Sequence, residues 1–309
     1  MPVGSWGYEA GEGFNLTPTT QKESTLLIIK FLMDDQQFRK LLDFLGLSWK
    51  GYRKVRKGVK KRISRYMQAH GYLGSDVFLS ALEKSRERRE QVEKILTVSI
   101  SRFFRDRKLW QALVKYVLPL ITAEHREKVK VWSAGCACGE EVYSFKILWQ
   151  EWGKGCPRLP ELQIWATDLN PEFLSRAQTG IYSWSSVKEV SEEWLPRYFS
   201  YLSGTHLAIS SSLKEGIHWS LHDLLSDDTP QKGLQIVFLR NNLLTYYQGA
   251  SQKPALNKVI DSLSPGGFLI IGAHEKIPKE FTELLPFPHH PNVLQKNPLL
   301  PAPVHETVP

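Results

Sequence analysis

The chain has 309 residues, 42% hydrophobic and 23% charged, a composition that suits a soluble globular protein of one large or two ordinary domains. No apolar run approaches the roughly 18 residues of a membrane span, Met1 to Gly13 lacks the basic start and apolar core of a signal peptide, and three cysteines are too few for a disulfide framework or a four-ligand zinc site. A formal net charge of +8 asks for an acidic partner, and a cytoplasmic location is the default expectation.

Residues 1–22 are rich in Gly, Thr, Pro and Ser and read as a disordered leader. Residues 23–96 read as a helical N-terminal domain. Leu26, Leu27, Ile29, Phe31 and Leu32, then Phe38, Leu41, Leu42 and Leu45, supply its first core faces, and Gly46 ends that segment. From Ser48 to Met67 the apolar positions Tyr52, Val55, Val59, Ile63 and Tyr66 recur at helical spacing, so one amphipathic helix is predicted. Nine Lys or Arg residues lie between Lys50 and Arg65, with no acid among them. Such a run is either a solvated face or a docking surface for an acidic helix, nucleic acid or membrane. A single exposed helix is predicted from Ser75 to about Ile95. Residues 97–127 hold a joining segment, Thr97 to Asp106, and a leading helix, Leu109 to Ile121.

Residues 128–296 carry a strand–helix alternation. Lys128 to Ala134 alternates polar with apolar residues and reads as a strand entering a core. Gly135-Cys136-Ala137-Cys138-Gly139 stops it, with glycines that allow a sharp turn and a close backbone approach to a ligand. Cys136 and Cys138 read as small loop residues and not as metal ligands. Glu140-Glu141 then opens a helix, and a second strand, Leu162 to Asp168, ends on an acid before the N-cap pair Asn170-Pro171. Strand, glycine loop, helix, strand and terminal acid is the layout of a Rossmann-like nucleoside site. Two acids at the helix start disfavour a pyrophosphate; they suit a cationic ligand such as S-adenosylmethionine (SAM).

The helix Glu172 to Gln178 ends at Gly180. Residues 181–217 form an excursion too long for an ordinary crossover, read as an inserted subdomain or lid. It holds an acidic helix, Glu189 to Tyr198, and short alternating runs at Tyr201-Leu202, His206 to Ile209 and Ile217 to Leu221. The doubly wound pattern resumes with a buried strand Leu234 to Leu239, a helix Lys253 to Leu263, a turn Ser264 to Gly267 and a strand Phe268 to Ile271. Pro291 to Lys296 reads as a final edge strand, and 297–309 as a flexible tail.

These motifs together resemble the CheR family, SAM-dependent methyltransferases that esterify glutamate side chains of chemotaxis receptors. The likeness runs in order through Thr97 to Asp106, Ser133 to Ser144, Ala166 to Asn170, Ala177 to Tyr182, Arg197 to Phe199, His222 to Leu225, Phe238 to Asn241 and Ser264 to Gly272. It implies a Rossmann-like α/β SAM-dependent methyltransferase domain with a small inserted antiparallel β-subdomain at 181–217, preceded by an all-α N-terminal domain whose basic helix 50–65 faces an acidic protein substrate, such as the cytoplasmic helices of a chemoreceptor.

Carried over residue by residue, the resemblance implies that Ser99, Ser101 and Arg105 line the SAM site, with Gly135 in the turn. Glu140 would meet the methionine ammonium, Asp168 the ribose, Asp223 and Leu224 the adenine, and Arg240 and Asn241 the methionyl end. The family usually has Asn at Ser99 and Asp223, and Thr at Ser101. Its tyrosine five residues after the arginine, which orients the acceptor, falls on Thr245 here, with Tyr246 and Tyr247 following. Arg105 is the candidate for holding the acceptor carboxylate, or else a structural arginine at the next helix. Alternatives are a CheR-like enzyme acting on another protein or a small molecule, and a SAM-binding docking module with little catalysis. Nucleic acid is not expected as a partner, since the basic face lacks interleaved exposed aromatics, and neither is membrane insertion.

Overall fold

A computed structural model describes residues 33–99, 101–202 and 204–299. The expected leader, the apolar positions Leu26 to Leu32 and most of the expected tail lie outside these residues.

The first described helix, α1 (Asp35–Phe44), starts at Asp34, whose carboxylate accepts from the Gln37 amide at 2.8 Å while the Gln37 side chain accepts from the Asp34 amide. It buries Phe38, Leu41 and Leu42. The predicted basic helix is in fact two, α2 (Trp49–Tyr52) and α3 (Arg56–Ala69), broken over residues 53–55. The break lets Tyr52 and Val59 enter one core while the chain changes direction. The next predicted helix is likewise two, α4 (Ser75–Glu83) and α5 (Arg86–Leu96), because the Ser85 hydroxyl caps the second by accepting from the Arg88 amide. Phe78, Leu82, Val92 and Leu96 close this helical core.

Helix α6 (Arg107–Ala112) passes through a π-turn (Leu113–Val117) into α7 (Leu118–Glu124) and then the sheet. The main sheet is seven-stranded, in the order β6-β2-β1-β7-β8-β10-β9. It comprises β1 (Lys128–Ala134), β2 (Glu161–Asp168), β6 (Ile217–Leu221), β7 (Leu234–Leu239), β8 (Leu263–Ile271), β9 (Leu284–Pro286) and β10 (Val293–Lys296). The first five are mutually parallel, and β10 and β9 turn antiparallel at one edge. Alternate residues feed two cores: Val129, Val131, Ile236 and Phe238 on one face, Trp132, Ala134, Val237 and Leu239 on the other. Helices α8 (Glu140–Gly153), α9 (Pro171–Thr179), α12 (Leu243–Tyr246) and α13 (Gln252–Ser262) complete the Rossmann-like domain. The small antiparallel sheet has the order β3-β5-β4, from β3 (Ile181–Ser183), β4 (Phe199–Tyr201) and β5 (His206–Ile209). Between β3 and β4 lie two short helices, α10 (Trp184–Val187) and α11 (Leu195–Tyr198), in place of one acidic helix.

Three expectations are corrected here. Ile217 to Leu221 pairs with β2 in the main sheet, because its parallel register brings Leu221 opposite Asp168. The stretch Ser264 to Gly267 is part of β8, with a register shift against β7 between Leu234 and Ile236. Residues 293–296 are an interior strand, since the unforeseen β9 covers their outer side.

The helical domain is joined to the α/β domain at α12. The Ser48 amide donates to the Tyr246 carbonyl at 2.8 Å, and Leu47 bridges Tyr247. A Cβ on Gly51 would stand 2.2 Å from the Thr245 carbonyl oxygen, so only glycine allows α2 to lie against α12. Gly51→Ala should therefore destabilise the fold by about 1–3 kcal/mol through overpacking. Gly58→Ala on α3, where nothing lies within 4 Å of the added carbon, should stabilise it by about 0.5–1 kcal/mol. Urea denaturation followed by far-UV circular dichroism reads both, and equal effects of the two substitutions would refute the contact at Gly51.

Candidate active site

The carboxyl ends of β1 and β2 set the floor. Gly135 (φ +83°) turns the chain so sharply that its own amide and that of Cys136 both donate to the Thr167 carbonyl, at 2.8 and 2.9 Å. Asp168 then ties the loop to the next turn: one carboxylate oxygen accepts from the Ala137 amide and the other from the Asn170 amide, both at 2.9 Å. Burial raises the carboxyl's pKa, and these amides, with that of Leu169, oppose the rise. A carboxylate has about four lone-pair sites, so Asp168 can still accept from ligand hydroxyls.

Above this floor is a narrow cleft with an enclosed volume of about 70 Å³. Gly135, Ala137, Asp168, Leu169, Asp223, Leu224 and Asn241 line one side. Glu93, Thr97 and Val98 of the N-terminal side, with Tyr52, Tyr246 and Tyr247, line the other. The glycine loop fits close approach: a Cβ on Gly135 would lie 1.9 Å from the Asn242 amide nitrogen, and one on Gly139 (φ +87°) would lie 2.9 Å from the Ala177 methyl.

Glu140 lies behind the loop, 4% exposed, with its carboxylate bonded by Ser101. Its Oε2 has no hydrogen-bond partner among the described residues, an orphaned acceptor that an ammonium would satisfy. Burial raises its pKa. Together with the remaining acceptor capacity of Asp168, this acceptor fits SAM.

The other expected site residues fall in several places. Ser99 lines a groove beside the cleft. Arg105, with Arg102, Asp106 and Glu189, lines a separate depression, and its charge acts on the Tyr246 phenol, which burial pushes up to about 12. Arg240 is enclosed between two carboxylates: Glu141 accepts at 3.0 Å and Asp106 closes the other side, while Trp110 covers the guanidinium at 5.9 Å. This makes it a tie between β7, α8 and the joining segment. Asn241 (φ +54°) presents its amide to Glu275 at 2.9 Å. Thr245 donates its hydroxyl to the other Glu275 oxygen at 2.6 Å, so Tyr246 and not Thr245 faces the cleft. Asp223 turns its carboxylate into its own turn, accepting from the Leu225 amide at 2.9 Å and the Ser226 hydroxyl at 3.1 Å.

Sequence reasoning misses Glu93, Tyr52, Asn242, Tyr247 and Glu275. Glu275 is 7% exposed and holds the Gly272 and Asn241 amides and Thr245 together. A lone acid in an otherwise unremarkable turn is no signal. Asn242 directly follows the Arg240-Asn241 motif and could have been found by proximity to it, and Tyr247 is in view only as a neighbour of Thr245.

Residues 99–290 match the CheR methyltransferase SAM-binding domain. The chain belongs to the CheR family. It is 32% identical over 234 residues to the chemotaxis protein methyltransferase of Listeria monocytogenes, covering 75% of this chain and 86% of that one. It is 29% identical over 226 residues to chemotaxis protein methyltransferase 1 of Pseudomonas aeruginosa, covering 71% and 81%. The solved N-methyltransferase NodS from Bradyrhizobium japonicum overlaps loosely, with a TM-score of 0.29 at 16% identity over 52% of this chain and 60% of that one. The chain is a SAM-dependent, CheR-type methyltransferase.

With the CheR assignment, Asp168 becomes the residue to test. Asp168→Ala removes charge-assisted hydrogen bonds worth about 1.5–3 kcal/mol, so SAM affinity by calorimetry should fall roughly ten- to a hundredfold. Unchanged affinity in the folded variant would remove Asp168 from the cofactor site.

Proposed function

We propose that this chain forms methyl esters on glutamate side chains of an acidic, receptor-type helix in the cytoplasm. One observation carries the reading: a groove between α3, α5 and the start of α9 has a cationic rim and opens into the SAM cleft. Lys54, Arg62, Arg65 and Lys94 rim it, Val55, Val59 and Ile95 floor it, and Thr97, Val98 and Phe173 line both groove and cleft. The curated relatives are chemotaxis methyltransferases, which agrees with such an acceptor.

The nine cations of residues 50–65 divide by partner. Arg56 and Lys60 pair with Asp35, at 3.0 and 2.6 Å, and Arg62 donates to the Ile95 and Thr97 carbonyls. Lys50, Arg53, Lys54, Lys57, Lys61 and Arg65 make no ion pair among the described residues. Unneutralised, they raise the local concentration of an acidic helix and fix its register.

A glutamate acceptor, with a pKa near 4.3, is ionised at pH 7 and needs no general base. Bound SAM supplies an electrophilic methyl group, whose transfer to a carboxylate oxygen leaves a neutral thioether and an ester with no proton to move. The chain's part is to orient the acceptor and exclude water. Arg105 would hold one acceptor oxygen, and the Tyr246 phenol, protonated at neutral pH, would donate to the same carboxylate. Ser99 and Ser101 would serve the cofactor side, Glu140 its ammonium, and Asn241 and Leu224 its two ends.

Reversing both Lys57 and Lys61 to Glu should lower kcat/KM for an acidic helical acceptor by about tenfold at low salt, with the loss shrinking as salt rises and SAM affinity unaffected. Arg105→Ala should lower it by about a hundredfold at any salt. Labelled SAM and an alkali challenge provide the readout. A base-stable label would overturn the ester, and full activity of Arg105→Ala would overturn its orienting role.

A further inference from the structure

The wall that the N-terminal domain contributes to the cleft carries one carboxylate with no evident employment. Glu93 sits on α5 between Val92 and Leu96, both fully buried, so the helix cannot turn it away. The end of that helix is pinned to the α/β domain, because the Asn170 side-chain amide donates to the Thr97 hydroxyl at 3.0 Å. Glu93 lines the cleft and makes no hydrogen bond or ion pair among the described residues. The same cleft is lined by the turn that the family resemblance gives to adenine, near enough for the Asp223 charge to act on Glu93, yet the Asp223 carboxylate is committed to the Leu225 amide and the Ser226 hydroxyl. The cleft therefore offers an adenine ring a Leu224 side chain, backbone groups and, as a carboxyl with no hydrogen-bond partner among the described residues, Glu93.

We propose that Glu93 reads the edge of the cofactor's adenine as a neutral carboxylic acid. Adenine presents its N6 amino donor beside the N1 acceptor, and a neutral carboxyl presents a carbonyl acceptor beside an O–H donor, so the two match as a bidentate pair. A carboxylate could take the amino proton but would set a second lone pair against N1. This inference rests on the SAM site described above and adds a residue that selects its base.

The surroundings favour the neutral form. Burial and the nearby Asp223 charge raise the Glu93 pKa to about 7, Glu90 adds to the rise, and Arg89 opposes it. Asp168, His222 and the phenols of Tyr52, Tyr246 and Tyr247 complete the ionisable lining, and burial holds all three phenols protonated at neutral pH. A ligand that requires the protonated acid raises this pKa further, so binding takes up a proton and weakens as pH rises above about 7.

Calorimetry of SAM binding to the full chain, from pH 6 to 8.5 in buffers of different ionisation enthalpy, tests this. The parent should take up about half a proton near pH 7, and its affinity should fall roughly tenfold from pH 7 to 8.5. Glu93→Gln presents the same donor and acceptor without titrating. It should show no proton uptake and should hold at pH 8.5 the affinity that the parent has at low pH. Glu93→Ala should bind about tenfold more weakly at pH 6.5 with no loss of thermal stability, which a structural role would have lowered. A parent that binds SAM without proton uptake, or a Glu93→Gln variant with the parent's pH profile, overturns the Glu93 assignment and leaves the cofactor site standing. A parent that binds no SAM overturns both.

Discussion

The site depends on one buried carboxylate held by main-chain amides. Asp168 ends β2 and receives the Ala137 and Asn170 amides, so a single side chain fixes the glycine loop after β1 and the entry to α9 at once. Burial outweighs the amides and keeps the carboxyl's pKa above its ordinary 3.8. The folded state thus binds the proton more tightly than the unfolded chain, and stability declines as pH rises through that range. A charge kept there at neutral pH costs stability and gives an acceptor at the one place where two parallel strands and a helix start converge.

Around this floor the backbone is locally strained, and the strain is matched by specific contacts. Among the described residues the non-glycine positions with positive φ are Phe104, Asp106, Ala137 and Asn241, all in segments that build or support the site. Each has a holder. The Phe104 amide donates to Ser144 at 2.9 Å while its ring lies 5.3 Å from Trp194. Asp106 faces Arg240, Ala137 is tied to Asp168, and Asn241 to Glu275. Arg240 and Glu275 are the hubs of these contacts, a cation between two acids and an acid among two amides and a hydroxyl. Removing either would release two loops together.

The parallel core was legible because its signals are local. Nearly continuous apolar runs mark β7 and the last four residues of β8, and a glycine loop followed by an acid marks β1 and β2. Other features were not legible for a physical reason in each case. Strand β9 is three residues long and exists through its pairing with β10, which no local pattern encodes. Strand β6 alternates and is half exposed, so its sequence fits either sheet equally well. The basic helix carries a helical stripe across Arg53 to Val55, although the chain breaks there, just after the turn that packs Gly51 against α12. At the site, motif residues were recognisable, whereas Glu93 comes from a different domain and reaches the cleft only through the docking of α5. Asp223 shows the converse: it lines the cleft, but its carboxylate is spent on its own turn.

Docking of the helical domain also sets two regions of opposite charge side by side. The cleft is acidic, with Asp168 and Asp223 on its walls and Glu140 behind the loop, and such a lining attracts a cation and repels an anion. The adjoining groove is basic at its rim and has the opposite preference. The two share one strip of lining, Thr97, Val98 and Phe173, which is largely apolar. Because the strip consists of the joining segment and the first turn of α9, it is complete only when the helical domain is seated on the α/β domain.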